Sequence, residues 1–373
     1  MFQENNVTHV DGPASKMYGR WSLFLGGAGL ILVLILMLDS APYKNEDLDF
    51  NVNNTVRSGS LILPTNTQSP RALMIFVHGD GAMGRSAFGY YYPLWQRLAK
   101  QGIASYSWDK AGVGGSGGNW LEQNMQNRAD EIHQAVAKLR KVPHMAGVPI
   151  GLIGFSQAGW VMPKALKNSS QLSFAVFVST PINWLKQSAF LTQTRLQKEG
   201  VTTREKNQQL AQARQVSQLI SQGDDHNAYI EFLSTAHPDG IESAMSPERY
   251  GFVQKNIGAD ALEDLQSVKQ PLFVAFGNHD SNVNVADNVT QYQQIFASNE
   301  TQLKLKVYKN ANHTLLKNSE FGHLSPSLWW LIKLSLWEED GFSEQFVDDV
   351  MLWLNSQIQQ LALKKPESIG AHE

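Results

Sequence analysis

Short apolar runs recur along the chain, most of them opening into a glycine-rich or polar turn. Ala72–Val77, Ile103–Trp108, Ile150–Phe155, Phe174–Val178 and Pro271–Phe276 are of this kind, and Leu303–Tyr308 is the last. An uninterrupted apolar run of that length predicts a strand buried on both faces. Segments of helical period lie between them. Pro93–Lys100 is stopped by Gly102, and Val161–Lys167 follows the third run closely. In Ala129–Lys141, residues Ile132, Ala135, Val136 and Leu139 fall at i, i+3, i+4 and i+7. A final helix, Ser343 to about Leu361, carries Phe346, Val350, Trp353 and Leu354 on one stripe. Strand and helix alternation predicts an α/β fold, a mostly parallel sheet with helices on both faces.

The alternation breaks over residues 181–265. This segment is polar and glutamine-rich, with Val216, Leu219 and Ile220 on one helical face and Tyr229, Phe232, Leu233 and Ala236 on another. No strand pattern interrupts it, so it reads as a helical cap inserted between two parts of a core, 55–180 and 266–363, with a tail at 364–373. Residues 39–54 read as a linker. Thr55–Gly59 and Ser60–Pro64 resemble a strand pair broken at Ser58-Gly59.

Ahead of the core lies a different pattern. Residues 1–20 are polar, and Trp21–Leu38 runs 18 residues without a charge. As a helix it would reach about 27 Å, enough to cross a bilayer core. Lys16 and Arg20 precede it, a bias that holds the N-terminus in the cytoplasm and puts the rest of the chain on the periplasmic or extracellular side. We expect an uncleaved single-pass signal anchor. The alternatives are a buried core helix and a cleaved signal peptide. A core helix is disfavoured because the run is apolar all round and sits outside the strand and helix alternation of the core. A signal peptide has a shorter apolar region, and Leu38-Asp39-Ser40 is a poor cleavage site.

Composition adds a few exclusions. Hydrophobic residues make up 42% and charged residues 17%, as in a globular chain with a sizeable core. The net charge of −3 leaves no basic footprint for nucleic acid. There is no cysteine, so disulfides, thiolate metal or redox sites, a cysteine nucleophile and a lipoprotein anchor are all ruled out. Oligomeric state is left open.

The candidate chemistry sits where predicted strands end. Ile150–Phe155 runs straight into Ser156, with Gly154 two residues before and Ala158 two after. Strand, tight turn with serine, then helix is the layout of a nucleophile elbow, whose flanking residues must be tiny because strand and helix nearly touch. Ala72–Val77 ends in His78-Gly79-Asp80-Gly81, a turn that can leave backbone N–H groups free for an oxyanion. Asp280 follows the strand ending at Phe276, and His313 follows the strand ending at Tyr308. Serine needs an imidazole to take its proton, and the imidazole needs a carboxylate to hold its tautomer. The expected roles are Ser156 nucleophile, His313 base, Asp280 orienting acid, and the N–H groups of Asp80 and Gln157 as oxyanion donors. His279 competes as base because it adjoins Asp280. Asp109 precedes the serine and reads as a turn-stabilising side chain, and His78 as a residue that holds the oxyanion turn. The loop Asp109–Gly118 is glycine-rich but lacks the G-K-[ST] ending of a phosphate loop. His226 beside Asp224 and Asp225 lacks metal-ligand spacing and reads as a helix terminus.

The stretches HGDG, SWDKAGVGGSGGNW, GLIGFSQAGW, GNHDSNVNV and NANHTLL, in that order, resemble the blocks of α/β-hydrolase esterases, in the branch close to dienelactone hydrolases and serine aminopeptidases. The resemblance spans about residues 55–360. It implies the α/β-hydrolase fold, a Ser156–Asp280–His313 triad, an oxyanion hole at Asp80 and Gln157, a small-molecule acyl substrate and no cofactor. Ester, peptide and thioester bonds are all open to such a site, as is a non-catalytic binding role. Three positions depart from the family pattern. Ala158 stands for glycine and Ala111 for arginine. Asp80 stands for a small neutral residue, which would put a carboxylate beside the oxyanion.

Overall fold

The computed structural model describes residues 41–167, 169–236, 244–299, 301–322 and 327–364. The 21–38 stretch and the tail lie outside them, and among the described residues no helix is long and apolar enough to cross a membrane.

Among the described residues there are ten strands. They are β1 (Tyr43–Asp47), β2 (Phe50–Val52), β3 (Thr55–Arg57), β4 (Gly59–Pro64), β5 (Ala72–Val77), β6 (Ile103–Trp108), β7 (Ile150–Phe155), β8 (Leu172–Val178), β9 (Leu272–Gly277) and β10 (Leu303–Tyr308). Eight of them form one sheet in the order β1-β4-β6-β5-β7-β8-β9-β10. It is parallel from β6 to β10, and β4 and β1 add antiparallel at one edge. Every expected core strand is present to within two residues at its ends.

Two-residue periodicity divides the side chains between two cores. Leu73, Ile75 and Val77 of β5 enter one, with Leu152, Ala175 and Phe177. Met74 and Phe76 enter the other, with Ile153, Phe174 and Val176. The helices that cover these faces are α1 (Tyr92–Lys100), α2 (Met125–Leu139), α3 (Met162–Leu166), α9 (Val285–Ile295), α10 (Asn318–Phe321), α11 (Leu328–Trp337) and α12 (Phe346–Lys364). The expected cap is all helix among its described residues: α4 (Trp184–Lys198), α5 (Thr203–Gln222), α6 (His226–Ala236), α7 (Pro247–Asn256) and α8 (Leu262–Gln266). Thr202 and Glu205 form a capping box at the start of α5, and Gly223 ends it in the left-handed conformation.

The N-terminal edge differs from expectation. Residues 43–52 of the expected linker hold β1 and β2. β1 reads YKNED, and its side chains are mostly exposed, so an edge strand without an apolar face left no pattern to find. The expected pairing of 55–59 with 60–64 is replaced. β3 pairs with β2 across Asn53-Asn54, both at positive φ (47° and 65°), the turn that matches strand twist. β4 instead lies between β1 and β6.

The strand order reverses around β5, since β6 lies on one side of it and β7 on the other. A crevice opens beyond the carboxyl ends of strands at such a switch point. Val77 of β5 registers with Gly154 of β7, so the residues that follow these two emerge side by side. They are His78-Gly79-Asp80 and Phe155-Ser156.

Candidate active site

Ser156 has φ of 51°, a left-handed conformation that a non-glycine residue adopts at a cost. A one-turn 3-10 segment, Ser156–Trp160, leads from it into α3. The tight fit expected around the serine is present. A Cβ on Gly154 would lie 2.5 Å from Met162 Sδ and 2.7 Å from Ala158 Cβ. Glycine at 154 is therefore what leaves room for alanine at 158. A Cβ on Gly159 would lie 2.7 Å from the Pro181 carbonyl, so the second glycine of the elbow is displaced by one position rather than lost. Gly79 faces the serine, since a Cβ there would stand 3.5 Å from Ser156 Cβ.

Asp280 and His313 meet. His313 Nδ1 donates to Asp280 Oδ2 at 2.8 Å, and the Asp280 side chain is fully buried. The other oxygen, Oδ1, accepts the N–H groups of Asn282 at 2.8 Å and Val283 at 2.9 Å. Three donors thus hold one carboxylate. The adjacent His279 is exposed, and its backbone N–H donates to the Ala311 carbonyl, tying the Asp280 loop to the His313 loop. Asp280 therefore pairs with His313 and not with its neighbour. The His313 loop is also tied toward the serine strand. Tyr90 donates its hydroxyl to the Thr314 carbonyl at 2.6 Å, and its ring stands edge-on to Phe155, next to Ser156.

The turn after β5 is braced by three cations, none of which the sequence singled out. Lys110, 3% exposed, donates to the carbonyls of Gly79 at 2.6 Å and Gly81 at 2.9 Å. Buried Arg128 donates to the His78 carbonyl at 2.6 Å and to Gln157 Oε1 at 2.5 Å. In a trans peptide the N–H points opposite to the preceding carbonyl. Pinning the carbonyls of His78 and Gly79 therefore fixes the N–H groups of Gly79 and Asp80 as well. Among the described residues no backbone acceptor pairs with the Asp80 N–H. Burial, with Arg128 nearby, pushes the Lys110 ammonium well below its usual range.

The third cation answers the problem of Asp80. Arg249 of cap helix α7 grips its carboxylate with both arms, Nη1 to Oδ1 at 3.2 Å and Nη2 to Oδ2 at 2.7 Å, and Gln157 Nε2 adds a bond at 3.0 Å. Burial works to raise the Asp80 carboxyl, but the bond and charge of Arg249 outweigh it and hold the group below its ordinary range. The guanidinium lies over Phe252 and Trp120, 5.0 and 5.8 Å from their ring centres. A paired carboxylate is far less hostile to a growing oxyanion than a bare one.

The other expectations resolve simply. His78 Nε2 donates to the Trp108 carbonyl at 2.6 Å, and Nδ1 accepts from Tyr91 at 3.0 Å. Burial pushes this imidazole down to about 3, so it is neutral and structural. Asp109 accepts the N–H groups of Arg85 and Gly115, as a turn-holding side chain does. Ala111 is buried, and Arg57 reaches the same loop from β3 to bond the Gly117 carbonyl at 2.8 Å. His226 opens α6 with Nε2 on the Met245 carbonyl at 2.8 Å.

Residues 68–320 match the family model described as serine aminopeptidase, S33. A search of curated proteins finds no match. Solved structures of similar fold include an esterase from Pyrococcus furiosus, Pf2001, with 19% identity, 82% of this chain and 94% of that one covered, and a TM-score of 0.51. A proline iminopeptidase from Mycobacterium smegmatis shares 15% identity over 85% of this chain and 100% of its own, at 0.53. Est1E from Butyrivibrio proteoclasticus, solved with ferulic acid, shares 15% over 83% and 99%, at 0.51. At such identities these likenesses speak for the fold alone, and the family match carries the assignment. It spans well over half of the chain, which therefore belongs to the S33 serine aminopeptidase family of α/β-hydrolases.

Proposed function

We propose that the protein hydrolyses carboxylic esters through Ser156, His313 and Asp280. The observation that carries this reading is the buried Asp280 carboxylate, held by two backbone N–H groups and bonded to His313 Nδ1, at the sheet edge where Ser156 adopts its strained elbow. With Nδ1 carrying the proton, His313 Nε2 is free to accept another. It takes the proton of Ser156 as Oγ attacks the acyl carbon. The carbonyl oxygen becomes an oxyanion between the N–H groups of Asp80 and Gln157. Collapse breaks the ester C–O bond, and His313 returns the proton to the leaving alcohol. Water, deprotonated by His313, then releases the acid and restores the serine. The Asp80–Arg249 pair favours catalysis over a decayed binding fold, because it neutralises a charge that would oppose the oxyanion. We further propose that residues 21–38 anchor the protein in the membrane, with the catalytic domain on the non-cytoplasmic side.

The test is a fluorophosphonate probe on the detergent-solubilised full chain. One covalent adduct on the Ser156 peptide is expected, and a folded preparation that never labels sinks the enzyme reading. A panel of p-nitrophenyl esters beside aminoacyl anilides and thioesters then settles the bond. Faster turnover of anilides would make the protein a peptidase.

In this scheme Lys110 is a positioning residue. Lys110→Met keeps the side-chain length but releases the Gly79 and Gly81 carbonyls. We expect kcat to fall about 10²-fold with KM little changed, the size of effect seen when one oxyanion donor is lost. Steady-state kinetics on the best ester checks this, and an equal loss in substrate affinity would argue against it.

A further inference from the structure

Helix α11 reads LWWLIKLSLW, and its buried side, Trp330 and Leu334, accounts for little of that apolar content. The outer side is bare: Leu328 is 75% exposed, Trp329 69% and Leu336 63%, with Ile332 half-buried between them. Trp329, Ile332 and Leu336 fall at i, i+3 and i+7, one continuous stripe. The only charge on the helix, Lys333, is turned back onto Glu320 at 2.7 Å and lies over the rings of Phe321 and Trp337. An exposed, uncharged stripe of tryptophan and leucine is not the ordinary surface of a soluble domain.

The stripe continues into a neighbouring turn. A Cβ on Gly89 would touch both the Tyr92 ring, at 3.4 Å, and Leu331 of α11, at 3.5 Å. Phe88 in that turn is 60% exposed and Tyr92 45%. Tyr43, the first residue of β1, packs with Leu331 against the same core, the one that also holds Tyr91 and Trp95. The patch and Tyr43 thus lie on the same side of the sheet. Only five steps along the chain separate Leu38, the end of the apolar run, from Tyr43. Fully extended, they span at most about 18 Å.

We propose that the outer face of α11, with Phe88 and Tyr92, docks into the lipid headgroup region of the bilayer that carries the chain. Tryptophan and leucine on an uncharged face suit that zone, and a tether this short keeps the face within reach of it. With its one cation bound internally, the face inserts by apolar contact rather than by attraction to anionic lipid. The proposal rests on the anchor reading above, and the test separates the two.

The chain has no cysteine, so single cysteines can be placed and labelled in the full protein. Leu336→Cys, Ile31→Cys and, as control, Leu262→Cys on the opposite sheet face are labelled with an environment-sensitive fluorophore. Each is reconstituted into phosphatidylcholine vesicles containing nitroxide lipids. The label at 336 is expected to lose roughly half of its emission, as a group about 5–10 Å below the surface does, and the label at 262 none. Added salt should change neither. A label at 336 that stays unquenched overturns docking, whatever happens at 31. A blue-shifted but unquenched label does so too, because protein would then cover the face. Quenching at 31 reports the anchor independently, so a failed anchor is seen as such.

Discussion

Ser156→Ala is expected to lower kcat on the best ester by on the order of 10⁶-fold and to abolish fluorophosphonate labelling. The size follows from where the residue stands. The strained φ of 51° holds Oγ at the end of β7, beside Gly79, and no other hydroxyl is placed on that elbow. Alanine leaves the turn packed as before, because Gly154 and Gly159 take up the steric load and the serine Cβ is retained. The melting temperature should therefore move little. Rates on the purified variant and intact-mass measurement after probe treatment check both halves. A variant that keeps a tenth of the wild-type rate would move the nucleophile elsewhere.

Asp280→Asn is expected to cost about 10⁴-fold in kcat, near 5 kcal/mol of transition-state stabilisation, with the fold intact. The hydrogen bonds around the carboxylate determine the reason. Oδ1 accepts from the N–H groups of Asn282 and Val283, so an asparagine must turn its own oxygen that way. Its amide NH₂ then faces His313, whose Nδ1 can only accept. The imidazole proton is driven to the ring nitrogen that should take the serine proton, and the base is lost. The two backbone bonds survive, so denaturant midpoints should stay close to wild type. Comparable loss of stability and activity would instead assign Asp280 a mainly structural role.

Much of this was legible because each catalytic candidate follows an apolar run, and apolar runs are the strongest signal a parallel sheet leaves. Ser156, Asp280 and His313 come from three such ends, and the pairing of the last two needed only the expected strand order. The bracing cations were not legible. Lys110 and Arg128 look like surface charges until the sheet buries them. Arg249 lies 169 residues from Asp80 on a polar cap helix, where nothing local marks it. Asp80 itself was visible as a departure, but its solution was not, because the partner comes from another part of the fold. The N-terminal edge failed for a different reason. β1 is charged and exposed, and pairing through the backbone alone leaves no side-chain pattern.

The Asp80–Arg249 clamp makes the cap and the turn after β5 a single interlock. Were α7 to lift away, a bare carboxylate would remain beside the proposed oxyanion position, and two like charges about 4 Å apart near a protein surface repel by at most roughly 4 kcal/mol. Solvent at this half-exposed pair reduces that figure, yet even half of it slows acyl transfer tenfold or more. Under the proposed mechanism a gaping enzyme would admit its substrate but cut it slowly, and reseating the cap would restore the full rate.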